Sequence, residues 1–474
     1  MRNVLVISYL FPPSGGVGVP RAIAYSRYFP REGCRTFVLT VRKPSTAYHD
    51  PELQKLVPPE VKVYRAWNPE PPYRLKDLLW RRLAGRKRDG AGASPAGAVA
   101  ALTRALKRAA VRGLFPDVQS LWYPFALRKA SRIVRRHAID TVIVIAPPYS
   151  LLRIGSALKR KFPHLTLVTD LRDDWLGYYV SQSDGPSDYS LGWSESEWAK
   201  AREIERSAFE LSSIVSIATP PWVQELRQRY PDLPPAKFVC TTNGYEPQAE
   251  QLEQAGATPA AGSGTVHGKR LTIVTYFGTL NASPVYSPAA YLAALDSLPE
   301  PVRSGFETRF IGRVTPDCRP LLSGRAGVRE YGFLTKQRGL DLLKEANLLL
   351  LIATNAKSHA GKLFDYLASG KPIIALSPPG GAIDQVLRET RAGWCVDPFN
   401  VTAIRDLLHM CHNRLQAGEA LVSPEPGAVR RYSWPQIVRC LAENIRTAEE
   451  RSCGEHPMQE TAEPALLAQG NNGR

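Results

Sequence analysis

The run Val4-Leu-Val-Ile-Ser-Tyr-Leu10 leads directly into Phe11-Pro-Pro-Ser-Gly-Gly-Val-Gly-Val-Pro-Arg21, and a helical pattern through Ala24 and Tyr28 follows. A nearly all-apolar strand, a glycine-rich turn and a helix predict the first β-α unit of a parallel sheet covered on both faces. Glycine permits positive φ and close backbone approach, so such a turn can cradle a ligand at a helix N-terminus. As a dinucleotide fingerprint it is imperfect. Gly16-x-Gly18 is present, but Arg21 stands where the third glycine belongs, and the second strand ends in Val41-Arg-Lys43 without a ribose-binding acid. That argues against NAD. The common ATPase readings fall away too, because Gly370-Lys371 is followed by Pro372 and no Walker A pattern exists.

Outward from this unit, β-branched apolar runs recur at Thr36–Val41, Val61–Trp67, Thr141–Ala146, Thr166–Leu171 and Ser213–Thr219. A second set follows at Leu271–Phe277, Phe306–Ile311, Val328–Tyr331, Asn347–Ile352, Lys371–Leu376 and Trp394–Val396. Strands alternate with helical stretches twice over, which predicts an α/β protein of two Rossmann-like domains, each a parallel sheet flanked by helices. Residues 247–270, whose small residues and prolines supply no packed face, read as the linker between domains 1–246 and 271–450, and 451–474 as a disordered tail.

The chain of 474 residues exceeds one ordinary core, and two domains are the simplest division. With 44% hydrophobic and 22% charged residues it is neither a disordered chain, a collagen nor a small disulfide scaffold. A formal charge of +17 favours an anionic partner: nucleic acid, acidic lipid or a phosphorylated substrate. The 7 cysteines are scattered without C-x-x-C, which fits a reducing cytoplasm. No stretch reaches the roughly 18 apolar residues of a membrane span, so neither export nor a transmembrane anchor is expected. One segment departs from the α/β pattern. Between Arg74 and Arg112 eleven basic residues face only Asp77 and Asp89, with Leu78, Leu79, Trp80 and Leu83 at helical spacing. Such an insertion reads equally as a peripheral element on an anionic membrane surface or as a solvated excursion.

Candidate chemistry collects at strand ends, where open α/β sheets bind ligands. The fifth strand runs into Asp170-Leu-Arg-Asp-Asp-Trp175, a catalytic or acceptor candidate whose plain alternative is helix capping and pairing with Arg172. Ser150, after Ala146-Pro-Pro-Tyr149, reads as a helix N-cap. In the second half Leu271–Phe277 enters Gly278-Thr279-Leu280, and Lys357–Gly370 opens a helix near Gly361. Lys362 at a helix N-terminus suits a diphosphate, and Asp365 one turn on suits a ribose diol; an exposed Lys362–Asp365 pair is the ordinary alternative. His409 and His412 read as surface residues rather than metal ligands, and no metal site, nucleophile elbow or nucleic-acid module is found.

Together these residues resemble the GT-B glycosyltransferases, specifically the retaining family 4 that uses nucleotide sugars. The resemblance runs from Met1 to about Asn444. It is carried by Phe11-Pro-Pro-x-Gly-Gly-x-Gly18, Pro147-Pro148, Asp170-x-Arg-Asp-x-Trp175, Thr242-Asn-Gly-Tyr-Glu246, Tyr276-Phe-Gly-Thr-Leu280, Gly332 and Gly361-Lys-Leu-Phe-Asp-Tyr-Leu-Ala-Ser-Gly-Lys-Pro372. It implies a sugar transferred from a nucleotide diphosphate sugar, a substrate rather than a cofactor, to a glycan or lipid-linked acceptor. Donor binding is implied at Gly278, Thr279, Lys362, Leu363 and Asp365. Gly16 and Asp173 would be catalytic, with Arg21, Asp170, Arg172 and Trp175 on the acceptor side. The sequence departs from the family at Lys357, where the E-x7-E motif has its first glutamate, and at Asn281-Ala-Ser-Pro284, which lacks the usual lysine. A histidine common in the family's first domain also has no counterpart. A non-catalytic nucleotide-sugar-binding or scaffold protein, and a GT-B epimerase, stay open as alternatives.

Overall fold

The computed structural model describes residues 1–16, 18–46, 49–71, 73, 114–179, 193–247, 265–266, 269–283, 286–334 and 336–454. The basic segment 74–112, most of the 247–270 linker and the tail from 455 lie outside the described residues.

Seven parallel strands build the first sheet: β1 (Arg2–Ser8), β2 (Cys34–Val41), β3 (Lys62–Ala66), β4 (Thr141–Ala146), β5 (Thr166–Leu171), β6 (Ile214–Ile217) and β7 (Phe238–Cys240). Their order is β3-β2-β1-β4-β5-β6-β7. The register sets Val6 beside Val38 and Ile143. Successive side chains alternate faces. Val4 and Val6 therefore pack under helix α1 (Val19–Tyr28), while Leu5 and Ile7 pack under α2 (Tyr123–His137) and α3 (Ser150–Lys161). Helices α4 (Glu195–Leu211) and α5 (Pro220–Arg229) cover the β6 end.

The second sheet contains β8 (Thr272–Phe277), β9 (Phe306–Ile311), β10 (Val328–Gly332), β11 (Leu348–Ile352), β12 (Ile373–Leu376) and β13 (Gly393–Val396), ordered β10-β9-β8-β11-β12-β13 and all parallel. On one face Val274, Leu348 and Leu350 meet α6 (Ala289–Asp296). On the other, Leu349, Leu351 and Ile373 meet α8 (Lys362–Ser369), which follows α7 (Lys336–Lys344), and α9 (Ala382–Thr390). Helix α10 (Val401–Gln416) returns to the first of these faces through Ile404 and Leu408.

The last helix, α11 (Trp434–Gly454), departs from the sequence-based division, which assigns residues up to 450 to the second domain. Trp434, Ile437, Val438, Leu441 and Ile445 pack with Val4, Val6 and Ile143 in the core of the first. Residues 451–454, expected in the tail, are helical. Two crossing segments join the domains side by side: Tyr245 donates its N–H to the Tyr432 carbonyl at 3.1 Å, and Trp434 donates to the Tyr245 carbonyl at 3.0 Å. No helix among the described residues is long and apolar enough to cross a membrane.

Candidate functional site

At the end of β8 the chain turns through Gly278 at φ +156°, and a Cβ there would stand 2.5 Å from Lys362 Nζ. Gly312, at φ +125°, comes so near that its Cβ would meet the Gly278 carbonyl oxygen at 2.2 Å. Only glycine satisfies both positions. Lys362, the first residue of α8, donates from Nζ to the Tyr276 hydroxyl at 2.6 Å and lies 3.8 Å from that ring's centroid. The Tyr276 hydroxyl donates in turn to the Thr279 carbonyl at 2.9 Å. Burial alone pulls the Lys362 ammonium down to about 7. Lys362 is thus held by a phenol and a π face at the positive end of a helix dipole, an arrangement chemically suited to an anion.

Tyr366 fixes the helix to the sheet. Its hydroxyl accepts from the Phe277 N–H at 2.8 Å and donates to the Leu350 carbonyl at 3.2 Å. Asp365 is half-buried one turn beyond Lys362, whose Nζ turns to Tyr276. Leu363, expected at the donor site, faces inward. Its side chain is wholly buried in the second core, and its N–H goes to the Ala360 carbonyl at 2.9 Å.

In the first domain the acids of Asp170–Asp174 take different partners. Arg21 and Asp170 form a buried ion pair at 2.7 Å, with side chains 1% and 0% exposed. Tyr25 (2.8 Å) and Ser216 (2.6 Å) add hydroxyl donors to the same carboxylate. Arg21 also donates to the Thr241 carbonyl at 2.8 Å and to Asn243 Oδ1 at 3.2 Å, which pins the interdomain crossing to the first sheet. Arg21 and Asp170 are therefore a structural clamp, not an acceptor-facing pair. Asp174 is buried against Arg229, which also reaches Glu205 at 3.1 Å. Trp175 is buried too, stacked on Tyr149 at 4.8 Å and 7°.

Three expected residues keep access to solvent at this edge. Gly16 is exposed at φ +106°, in the turn after β1. Arg172 lies against Gly18, where a Cβ would be 2.7 Å from its guanidinium, and is 3.8 Å from Asp173. Burial lifts the Asp173 carboxyl above its ordinary value, against the pull of Arg172 and Arg21. Ser150 is not a side-chain cap; its backbone N–H is taken by Asp117 Oδ2 at 2.9 Å. His412, read as a surface residue, is buried on Phe306 and bonded to Thr272 Oγ1 at 2.8 Å. No group of three potential metal ligands gathers among the described residues.

The C-terminal edges of the two sheets face each other. Thr219, just past β6, donates from Oγ1 to the Lys357 carbonyl at 2.6 Å, in the loop after β11. Lys357 Nζ pairs with Glu225 across the same gap. Burial, and then the charge of Asp173, raise the Tyr286 hydroxyl of the second domain. Sequence reasoning gave Tyr276, Thr219 and Glu225 no site role. Only Tyr276 carries a local signal, an aromatic two residues before a strand-end glycine.

No family model matches the chain, and no curated protein matches it in sequence. Solved structures do match. HepE of Anabaena in complex with UDP superposes over 94% of this chain and 100% of its own, with TM-score 0.57 and 14% identity. The N-terminal domain of Candida albicans trehalose-6-phosphate phosphatase matches over 94% and 97%, at 0.57 and 12%. WaaG, a glycosyltransferase involved in lipopolysaccharide biosynthesis, matches over 95% and 99%, at 0.50 and 14%. The fold is GT-B. In this GT-B chain the Lys362 site and the Gly16–Asp173 edge lie on facing sheet ends, one on each side of the interdomain cleft.

Proposed function

We propose that this chain is a glycosyltransferase of the retaining family 4 type. It would move a sugar from a nucleotide diphosphate sugar to a glycan or lipid-linked acceptor in cell-surface polysaccharide or glycan biosynthesis, working in the cytoplasm at the membrane's inner face. The observation that carries this reading is Lys362, a cation on Tyr276 at the start of α8, with Gly278 leaving room beside it. HepE structures with UDP and with UDP-glucose support the donor class.

Transfer breaks the anomeric C–O bond through an oxocarbenium-like state, and negative charge develops on the departing diphosphate. Lys362 and the α8 dipole oppose that charge without a metal or redox cofactor. Gly278 and Thr279 flank the diphosphate, and Asp365 accepts from the ribose hydroxyls. The acceptor lies by Gly16, Arg172 and Asp173. For retention its hydroxyl attacks from the leaving-group side and yields its proton to the diphosphate oxygen. The anionic membrane contact assigned to 74–112 belongs to the same proposal.

Thermal-shift measurements with UDP-, GDP- and dTDP-sugars test it, since ligands of the native state raise the melting temperature. Anomer analysis of the product follows. A stabilising donor whose sugar is transferred with retention is the expected result. Epimerised free donor would establish the epimerase alternative, binding without turnover a non-catalytic protein, and no stabilisation by any nucleotide sugar would sink the reading.

A further inference from the structure

Two neighbouring helices of the first domain carry charge that the cleft does not use. Helix α2 holds five basic residues (Arg128, Lys129, Arg132, Arg135, Arg136) and α3 four (Arg153, Lys159, Arg160, Lys161), and neither contains an acid. They pack against each other on the sheet face opposite α1 and α11, so their outer sides form one surface. Arg128, Arg132 and Arg136 recur every fourth residue as one exposed stripe, and Arg153, Arg160 and Lys161 are exposed beside it.

None of the described ion pairs joins an acid to a cation of α2 or α3, and on the packed α4 Glu195 and Glu210 pair with Arg202 and Arg206. Aromatic rings support several of the cations instead. Arg153 lies 4.8 Å from the Tyr123 centroid, Arg135 5.5 Å from Phe162 and Lys129 5.7 Å from Tyr64. A ring face orients a cation without neutralising it. At the end of α2 the His137 ring is pushed below its ordinary value by burial and then by Arg136 of the same helix and by Lys62 and Arg35 of the neighbouring strands. Where α2 begins, Trp67 and Phe125 stand edge-to-face at 4.6 Å and remain 54% and 36% exposed.

We propose that the α2–α3 face is a docking surface for the headgroup layer of an anionic bilayer, with Trp67 and Phe125 entering the interface. This names a place for the proposed membrane contact, and rests on that reading for its purpose of meeting a lipid-linked acceptor. Charge complementarity selects a polyanion, and shape selects a bilayer among polyanions. Helix α2 extends about 22 Å, so paired helices offer a broad surface with aromatics at one rim, as interfacial binders do. Single-stranded nucleic acid is held instead in a groove with aromatics interleaved among the cations.

The test is co-sedimentation of the full chain with phosphatidylcholine vesicles, with and without phosphatidylglycerol, alongside calorimetry of nucleotide-sugar binding. Each surface cation contributes roughly fivefold, so Arg128→Gln/Arg132→Gln/Arg136→Gln should weaken anionic-vesicle binding about a hundredfold. The corresponding Arg→Lys triple should keep it, and Trp67→Ser/Phe125→Ser should weaken it too. Donor binding should be the same in all variants. Equal binding of wild type and the Gln triple, or equal binding to neutral and anionic vesicles, would overturn the proposal. So would loss of duplex DNA binding in the Gln triple with vesicle binding intact, which would make the face a nucleic-acid surface. Wild type that binds anionic vesicles but no nucleotide sugar would refute the transferase reading while leaving this one standing.

Discussion

Lys362 lies on the Tyr276 ring with its ammonium desolvated, and on the proposed reading this couples diphosphate binding to a proton. Burial holds the empty-site ammonium at about 7, whereas an unburied lysine titrates near 10.4. A diphosphate beside it favours the charged form and returns the value upward. At pH 8 about nine lysines in ten are neutral before binding, so each nucleotide sugar bound takes up close to one proton. Apparent affinity should then fall about tenfold per pH unit above pH 7, until the bound-state value is reached. Below pH 7 the lysine is already charged and affinity should level off. The assay is calorimetry with an intact nucleotide sugar, whose diphosphate diester does not titrate here, in buffers of different ionisation enthalpy. Lys362→Met should abolish the buffer dependence and weaken binding more than tenfold near pH 6.5, through loss of a charge-assisted bond of about 1.5–3 kcal/mol. The empty variant should also melt higher than wild type at pH 6. A lysine whose folded value is depressed destabilises fully below that value and not at all above the unfolded one, so the difference should vanish towards pH 10.5. Buffer-independent heats and a flat affinity profile would place the diphosphate away from Lys362.

Asp365→Asn should weaken donor binding and Asp365→Glu should retain it, whereas a 2′,3′-dideoxy nucleotide sugar that binds as well as the natural one would remove the ribose assignment. Arg21→Met strands Asp170 in the core and should cost about 3–5 kcal/mol in urea denaturation, with Arg21→Met/Asp170→Leu recovering much of it. Trp175→Ala empties the stack on Tyr149 and should cost about 3–5 kcal/mol while sparing donor affinity. Lys357→Glu sets two carboxylates against each other across the cleft and should open the domains in small-angle scattering, and adding Glu225→Lys should close them again.

Short runs rich in apolar or β-branched residues made twelve of the strands legible, the central ones most plainly, because a strand buried on both faces has little choice of composition. Strand β7 went unread: at Phe238–Cys240 it is three residues long and buried only at Phe238. The apolar stripe of α11 is visible at Trp434, Ile437, Val438, Leu441 and Ile445, but periodicity shows that a face must be covered and not by what. Its cover is the first domain's sheet, on the far side of the whole second domain in the chain, so a linear domain boundary misplaces it.

The site divides along the same line. Lys362, Gly278 and Asp365 fall within two short motifs, and the roles proposed for them rest on strand-end and helix-start chemistry that is local. Arg21 and Asp170 are 149 positions apart, and their spacing says nothing about either being the other's countercharge. Read alone, Asp170-Leu-Arg-Asp-Asp-Trp175 is one cluster aimed at a ligand. In the fold Asp170 goes to Arg21, Asp174 to Arg229 and Trp175 to Tyr149, each inside the core. The burial of these three leaves Gly16, Arg172 and Asp173 as the residues of the proposed acceptor edge that keep access to solvent. Of the block's three carboxylates only Asp173 keeps access to solvent, beside Arg172, and burial holds its carboxyl above the ordinary value against the pull of Arg172 and Arg21.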